Sequence, residues 1–347
     1  MSNTFATRLL HWFDTHGRKD LPWQHPRTPY RVWLSEVMLQ QTQVATVIPY
    51  FVRFVAALPD LRALAAATQD DVFALWSGLG YYSRARNLQR AAQLCVERHG
   101  GELSRDFDAL MALPGIGRST AGAILAQAFD LRFPILDGNV KRVLARRHGI
   151  AGWPGEKSIE SQLWKLAEIH TPHERAADYT QAIMDLGATA CTRARPRCGD
   201  CPVSHDCVAY RDGLTAQLPM RKPARALPTR STQMLVLRDP QGRLLLERRA
   251  PTGIWAGLWS LPEAADEAAA RDTVARVGAH ANVAIVLRAL PSFTHAFTHF
   301  RLDITPLAAD VERSATIADD ADRRWLLPHE AAALGLPAPV RKLLASL

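Results

Sequence analysis

Four cysteines lie within seventeen residues, with six, two and five residues between them: Cys191, Cys198, Cys201 and Cys207. Thiolates this close in sequence can converge on one metal centre, and such sets hold either structural zinc or an iron–sulfur cluster. The spacing alone favours neither metal. Arginines fill the first gap, so a metal bound here would fix a cationic loop.

A glycine-rich hairpin, Leu113–Gly122, lies about seventy residues before the cysteines. Gly115 and Gly117 permit a tight turn and a close approach of backbone amides to a phosphate. A plain helix–turn–helix would carry the same residues. Together, the hairpin and the cysteines indicate an enzyme that handles DNA and binds a metal through thiolates.

Asp137 begins a basic helix, Val140–Arg147, shortly after the hairpin. Its simplest interpretation is a helix N-cap. Beside Lys141 and Arg142, however, the carboxylate should stay ionised. An ionised carboxylate could stabilise a cationic sugar in a transition state.

Glu36 is the second candidate carboxylate. Thr28 and Pro29 predict the start of its helix. The predicted buried stripe is Tyr30, Trp33, Leu34, Val37 and Met38. Glu36 lies outside that stripe with no cation three or four residues away. It is either a solvated surface glutamate or, in an apolar surround, a proton donor with a raised pKa.

Two carboxylates in opposite environments suit cleavage of a glycosidic bond, in which one protonates the leaving group and the other stabilises the sugar cation. In DNA the leaving group would be a base flipped out of the stack. Gln40–Gln43 and Gly80–Tyr82 offer amide and aromatic side chains to fill the gap, although buried packing explains a tyrosine equally well.

Composition agrees with a nucleic-acid partner. The net charge is +8, and residues 1–225 carry 28 Lys and Arg against 21 Asp and Glu, whereas 226–347 carry 14 against 13. A solvated basic surface would look the same. Only Cys95 lies outside the cysteine cluster, and we see no signal peptide or membrane-length apolar run, so we expect a soluble protein of a reducing compartment.

Three regions are expected along the chain. Residues 1–212 read as amphipathic helices, 213–232 as a basic, proline-punctuated linker, and 233–347 as an α+β domain. Its predicted elements are strands at Met234–Leu237, Leu244–Leu246 and Phe300–Leu307 and a helix near Ala265–Val277.

The motifs match a known family in type, order and spacing. The chain resembles the MutY family of adenine DNA glycosylases, within the helix–hairpin–helix, endonuclease III-like superfamily. The matching segments are Leu21–Trp23, Ser35–Gln43, Gly78–Tyr82, Leu113–Gly122, Leu136–Val140 and the four cysteines. The resemblance implies an all-α catalytic domain, one [4Fe–4S] cluster on the loop 191–207, and removal of adenine opposite 8-oxoguanine or guanine in double-stranded DNA.

The resemblance also implies roles for single residues. Glu36 would protonate adenine and activate water, Asp137 would stabilise the sugar cation, and Asn139 would help to position that chemistry. Gln41 and Tyr81 would enter the base stack.

DNA contacts are further expected from Gly115, Gly117, Arg118 and Lys141. Ser119 occupies the position at which bifunctional relatives carry a nucleophilic lysine, and we assign it to the base pocket. A serine cannot form the imine that drives strand scission, so we expect no true lyase activity, although Lys141 could trap an aldehydic sugar.

The C-terminal region resembles the Nudix-like domain that reads 8-oxoguanine in this family. Gly257 and Glu263 match the opening of a Nudix box, but Ala275 and Arg276 replace the acidic metal ligands. This domain should therefore recognise rather than cut. The recognition loop of the family is matched by Phe297, Thr298 and His299, in which threonine replaces serine.

Two rival functions remain open at this stage. A pyrimidine-specific glycosylase-lyase is disfavoured by Ser119 and by the appended domain. A non-catalytic mismatch binder would not need both Glu36 and Asp137. For the favoured function we expect a cytoplasmic monomer that binds DNA and no membrane.

Overall fold

A computed structural model of the chain describes residues 4–223, 226–278, 286–312 and 320–347. The chain divides into two compact units. The first comprises Met1–Ala67 and Arg86–Ala224, and the second comprises Thr68–Ala85 and Arg225–Leu347. The domain boundaries at 212 and 232 stay predictions.

Helices make up the N-terminal part of the chain. They are α1 (Phe5–His16), α2 (Pro29–Leu39), α3 (Val44–Ala57), α4 (Leu61–Ala66), α5 (Gln69–Trp76), α6 (Ser83–Arg98), α7 (Phe107–Met111), α8 (Arg118–Phe129), α9 (Gly138–His148), α10 (Lys157–His170), α11 (Ala176–Asp185) and α12 (Val208–Arg211). Residues 4–223 contain no strand, so the all-α prediction is confirmed for this described range. No helix in the described parts of the chain combines the length and the apolar character needed to cross a membrane.

Helix α2 begins where the sequence predicts. The Thr28 side chain accepts a hydrogen bond from the backbone N–H of Arg31 at 3.3 Å, and Pro29 occupies the first helical position. All five residues of the predicted stripe are buried. Val32 and Ser35 are buried as well, because α3 and α8 also pack against α2. The helix is therefore enclosed on more sides than one stripe predicts.

Helices α8 and α9 place the hairpin and Asp137 at their N-terminal ends, where Gly117 and Asp137 are the respective N-caps. A Cβ at Gly122 of α8 would lie 2.5 Å from the carbonyl oxygen of Pro134, so only glycine permits this approach. Gly149, with φ of +67°, ends α9 in the left-handed conformation. The apolar face of α9 joins a core cluster that includes Leu9, Phe13, Val140, Leu144 and Ile183.

In the described residues of the second unit, eight strands form one sheet. Its strands are β1 (Thr229–Arg238), β2 (Leu244–Arg248), β3 (Trp259–Ser260), β4 (Glu263–Ala264), β5 (Arg288–Ala289), β6 (Phe293–Ala296), β7 (Arg301–Asp310) and β8 (Arg323–Leu326), accompanied by helices α13 (Glu267–Val277), α14 (Pro328–Ala332) and α15 (Ala338–Leu344). The order is β3-β2-β1-β7-β5, with β4 on β1, β6 on β7 and β8 on β2. This confirms the predicted α+β class.

The central pair, β1 and β7, is parallel, from Thr229 opposite Arg301 to Arg238 opposite Asp310. Strand β1 thus begins inside the predicted linker, directly after Pro228. Alternate residues face two separate cores, with Met234 in one and Leu235 in the other, so both faces of the sheet are covered.

Helix α5 belongs to the second unit, although it is distant in sequence from the sheet. Both Asp70 carboxylate oxygens accept hydrogen bonds from Arg248, at 3.0 and 2.9 Å, and Trp259 Nε1 donates to Asp70 Oδ1 at 3.3 Å. A bidentate ion pair of this kind fixes orientation as well as distance. No local sequence signal predicts this association.

Candidate active site

Glu36 lies on the enclosed helix α2, where Gln127 of α8 donates a hydrogen bond from Nε2 to Glu36 Oε1 at 3.0 Å. Burial, followed by the nearby negative charge of Asp137, raises the pKa of Glu36 to about 7, while the bond from Gln127 opposes the rise. A carboxyl group with this pKa can give and take a proton near neutral pH.

Asp137 is the N-cap of α9, as predicted. Its Oδ1 accepts from the backbone N–H groups of Asn139 at 3.1 Å and Val140 at 2.8 Å, and its Oδ2 accepts from Asn139 Nδ2 at 3.1 Å. Burial raises the pKa of Asp137, whereas these hydrogen bonds and the charge of Arg142 favour its ionised form. Capping and a role in chemistry are therefore compatible for this residue.

Lys141 contacts a residue on another helix. Its Nζ lies 2.6 Å from Glu160 Oε1, so it forms an ion pair with a neighbouring helix. The cation that acts on Asp137 is Arg142. Both cations lie about one turn after the cap in the sequence. Their roles differ because the fold pairs Lys141 with Glu160 and leaves Arg142 to act on Asp137.

Arg142 links the carboxylate site to the cysteine loop. Its Nη2 donates to Asn139 Oδ1 at 2.8 Å and to the Gly187 carbonyl at 2.6 Å, and its Nε donates to the Cys191 carbonyl at 2.7 Å. A Cβ at Gly187 would lie only 2.5 Å from Asn139 Cβ. The absence of a side chain at Gly187 therefore lets this chain of contacts close.

The hairpin supports the segment that leads to Asp137. Gly115 has φ of +79°, and a Cβ there would lie 2.9 Å from Asn87 Cβ. Ser119 Oγ accepts a hydrogen bond from the Leu136 backbone N–H at 2.9 Å. The guanidinium of Arg118 lies 3.9 Å from the centroid of the Trp164 ring. Gly117 is exposed at the N-cap of α8.

Gln41 and Tyr81 share an unusual backbone conformation. Both have positive φ, +59° and +50°, which costs non-glycine residues about 1 kcal/mol or more. Gln41 is exposed, and Tyr81 is 47% exposed. Strain at exposed polar and aromatic side chains is typical of functional positions.

The four predicted cysteine ligands line one small cavity of about 20 Å³. Within the described ranges, no three His, Cys, Asp or Glu side chains already form a group that could hold a metal ion. The donor chemistry nevertheless fits a metal centre, since four cysteine sulfurs facing one cavity are a ligand set that zinc and iron–sulfur clusters both accept. The positive charge of Arg146 also reaches this cavity, because its Nη1 donates to Cys191 Sγ at 3.3 Å.

A basic cleft of about 850 Å³ adjoins the start of α9. Its cationic side chains are Lys141, Arg142, Arg146, Arg193, Arg221 and Lys222. The predicted linker forms one wall, held by the bond from Arg146 Nε to the Leu218 carbonyl at 2.8 Å and by Lys222, which lies 5.3 Å from the Trp153 ring centroid. The sequence predicted the basic character of this segment but not its attachment.

In the second unit, the predicted recognition residues form the tip of the β6–β7 hairpin. The Phe297 N–H donates to the Phe300 carbonyl at 2.9 Å, which leaves Thr298 and His299 exposed between them. Glu263 forms an ion pair with Arg249. Ala275 and Arg276 lie on α13 and supply no carboxylate.

Several residues that complete these sites carry no recognisable sequence signal. They are Gln127, Arg146, Gly187 and Arg249. Each acts through a partner far away in the sequence or in a separate element, so periodicity and motif spacing do not reveal them. Gly187 could have been noticed only as a glycine inside a helical segment.

Comparison with known proteins gives two family matches, one in each half of the chain. Residues 34–168 match the family described as HhH-GPD superfamily base excision DNA repair protein, and residues 233–346 match the NUDIX domain. A solved structure described as a thermostable thymine-DNA glycosylase superposes with a TM-score of 0.53 at 27% identity, covering 60% of this chain and 95% of that one.

Full-length relatives are more similar in sequence. The adenine DNA glycosylase of Buchnera aphidicola subsp. Schizaphis graminum is 37% identical over 341 residues, which cover 98% of this chain and 97% of that protein. The human adenine DNA glycosylase is 35% identical over 387 aligned residues, covering 94% of this chain and 70% of the relative. The chain thus belongs to the adenine DNA glycosylase family, the N-glycosidic hydrolases of base excision repair.

Proposed function

We propose that this glycosylase removes adenine paired with 8-oxoguanine or guanine, without cutting the DNA strand itself. The observation that carries this proposal is the Glu36–Asp137 pair. One carboxyl is largely shielded from water and has a pKa of about 7, and the other is held by three hydrogen bonds and the charge of Arg142. These are the two environments that hydrolysis of a glycosidic bond requires.

In the proposed reaction, Glu36 donates its proton to the adenine ring as the bond from the sugar C1′ to the base breaks, and the electron pair leaves with the base. Asp137 stabilises the cationic sugar, and Asn139 holds the Asp137 carboxylate in place. Water then adds to C1′ and returns a proton to Glu36. The reaction balances without any other reactant.

Two surfaces of the first unit would bind the DNA backbone. The hairpin at Gly115, Gly117 and Arg118 offers backbone amides to a phosphate. The basic cleft adjoins Gly138, the residue after Asp137, and its cations include Lys141. Gln41 and Tyr81 would fill the space left by the flipped base, and Ser119 would border the base pocket.

The cysteine loop would hold one [4Fe–4S] cluster through Cys191, Cys198, Cys201 and Cys207. The superfamily supports a cluster, and the shared cavity supports a common centre for the four sulfurs. When bound, the cluster would be coordinated by the four thiolates and would hold the loop in one conformation. Iron and acid-labile sulfide measured on purified protein should each approach four per chain; zinc without sulfide would refute this assignment.

The second unit would recognise 8-oxoguanine through Phe297, Thr298 and His299. Two observations support recognition over hydrolysis. The Nudix-box Glu263 is engaged by Arg249, and Ala275 and Arg276 offer no metal ligand. The protein would act as a monomer on DNA in the cytoplasm, which sedimentation of the free and DNA-bound forms would test.

The absence of strand cleavage follows from Ser119. Its hydroxyl oxygen accepts from the Leu136 N–H, and it has no amine for imine formation. Borohydride trapping should give little covalent protein–DNA complex. Any complex should disappear in Lys141→Arg, because Lys141 would be its adventitious source.

The test is base release from duplexes that pair adenine with 8-oxoguanine, guanine, cytosine or thymine, followed by alkali. Adenine should leave opposite 8-oxoguanine and guanine, with strand breaks only after alkali. Glu36→Gln and Asp137→Asn should lose release while retaining DNA binding, and Glu97→Gln, an exposed carboxylate, should behave as wild type. Strand breaks without alkali would indicate a glycosylase-lyase, and binding without release would indicate a mismatch binder.

A further inference from the structure

Trp255 is held in a backbone conformation that tryptophan rarely adopts. It lies in the loop between β2 and β3 with φ of +55°, between two glycines, Gly253 and Gly257, that also have positive φ. A bulky residue in the left-handed region persists only where the surrounding contacts enforce it. Glycine would adopt this conformation without strain. We therefore expect the half-buried Trp255 ring to make contacts that glycine could not make.

The ring packs against the tip of the β6–β7 hairpin and the end of β6 beside it. Its centroid lies 5.3 Å from that of Phe297 and 5.7 Å from that of His295. Phe297 is stacked on Phe300 at 4.4 Å, with 16° between the planes. Phe297 thus contacts Trp255 as well as Phe300, directly before the exposed residues Thr298 and His299.

Arg249 anchors the loop that carries Trp255. Its Nε donates to the Ile254 carbonyl at 3.2 Å, and its guanidinium lies 5.6 Å from the Trp255 ring centroid. The backbone also contributes, since the Arg249 N–H donates to the Leu258 carbonyl at 2.8 Å. One arginine side chain therefore contacts both the backbone and the ring at this strained position.

Glu263 orients that arginine. The carboxylate forms an ion pair with Arg249 Nη1, and both side chains are 23% exposed. The Nudix-box position of Glu263 belongs to a metal ligand in a hydrolase, but here the carboxylate faces a guanidinium. Glu263, the acidic residue that matches the Nudix box, therefore supports the position of Arg249.

We propose that Trp255 is a positioning residue for lesion recognition, supported by the Glu263–Arg249 pair and acting through Phe297 on Thr298 and His299. This inference rests on the proposed reading of 8-oxoguanine by the hairpin tip. The series Glu263, Arg249, Trp255, Phe297 fixes the tip before DNA arrives, so its loss weakens discrimination between 8-oxoguanine and guanine rather than the chemistry at Glu36.

The test compares Trp255→Gly with Trp255→Phe. Glycine relieves the backbone strain and removes the ring, whereas phenylalanine keeps an aromatic ring. We expect Trp255→Gly to lower the preference for adenine opposite 8-oxoguanine over guanine by about three- to tenfold, the size of one aromatic contact. Its melting temperature should fall, because the lost packing of the ring against the core outweighs the relieved backbone strain, so the preferences of all variants are compared well below their melting temperatures. Trp255→Phe should restore most of the preference.

Two further variants test the support. Glu263→Gln should lower the preference to a smaller extent, and its effect should vanish in the Trp255→Gly background. Glu247→Gln is the matched control, because Glu247 also pairs with an arginine of the same unit, but with Arg323 rather than Arg249.

The outcomes separate this inference from the proposed function. Wild-type protein without a preference for 8-oxoguanine would refute the proposed recognition itself. A wild-type preference that survives in Trp255→Gly would overturn the inference alone. Equal losses opposite both bases would also overturn it, because they would mean a general defect rather than altered discrimination.

Discussion

Two glutamates at motif positions, one in each unit, meet opposite partners. Glu36 is half-buried beside a neutral amide, Gln127, and near the negative charge of Asp137, and its pKa rises to about 7. Glu263 is also shielded from water, which raises its pKa, but the Arg249 guanidinium opposes the rise through charge and a hydrogen bond. Burial is common to both.

The partner decides what a buried carboxyl can do. Without a cation, the neutral form is favoured and a proton is available for transfer. With a guanidinium, the ionised form is favoured and the pair fixes geometry. A motif match therefore identifies the residue, and the charge of its nearest neighbour decides between chemistry and support.

The largest expected effect is a difference in the rate of adenine release between variants of Glu36 and of Glu263. Glu36→Gln should lower the single-turnover rate of adenine release by about 10²- to 10⁴-fold, the usual contribution of general acid catalysis. Glu263→Gln should change the rate opposite guanine by less than about threefold, the effect expected of a residue away from the chemistry. Comparable losses in both variants would break the comparison.

Stability should respond in opposite directions. Because the folded-state pKa of Glu36 is raised from 4.5 to about 7, its stabilising contribution is lost as pH rises through that window. At pH 8, Glu36→Gln should raise the free energy of unfolding by up to about 3 kcal/mol. Glu263→Gln should lower it by roughly 1 kcal/mol, since Arg249 loses its partner.

Chemical denaturation at pH 5 and pH 8 measures this contrast. The Glu36→Gln gain should shrink at pH 5, where the wild-type carboxyl is already protonated in the folded protein. A destabilised Glu36→Gln at pH 8 would contradict the assigned raised pKa.

The pH dependence of catalysis tests the protonated form directly. If Glu36 must carry a proton, the single-turnover rate should fall about tenfold per pH unit above pH 7. The acidic limb should reflect Asp137, and since burial raises the pKa of Asp137, that limb should lie above the ordinary range of aspartate. A rate that stays constant from pH 7 to 9 would rule out Glu36 as the acid.

The smallest predicted effect concerns the neutral partner. Gln127→Met removes a hydrogen bond that lowers the pKa of Glu36. The alkaline limb of the pH–rate profile should shift upward by up to about one unit, corresponding to one hydrogen bond. Gln89→Met, at another buried glutamine, controls for the loss of a core amide. A downward shift would mean that Gln127 favours the protonated form of Glu36, which would contradict the assigned donation from Gln127 Nε2 to the carboxylate.

Sequence patterns predicted the local features well because each depends on neighbouring residues. Thr28 and Pro29 begin α2, and Asp137 caps α9, since caps act within three residues. The β1, β2 and β7 strands followed from their apolar runs. The start of β1 at Thr229 was missed because its first residues are polar and exposed, and only pairing with β7 makes them a strand.

Residue types and spacing by themselves determined the helical class, the α+β class, the two candidate carboxylates and the cysteine set. Tertiary structure alone decided their partners. Gln127 is 91 residues from Glu36, Arg142 reaches Cys191 across 49, and Asp70 reaches Arg248 across 178. Such contacts leave no periodic signal, because a buried polar group is stabilised by whichever partner the fold brings to it, and that choice sets its pKa and its function.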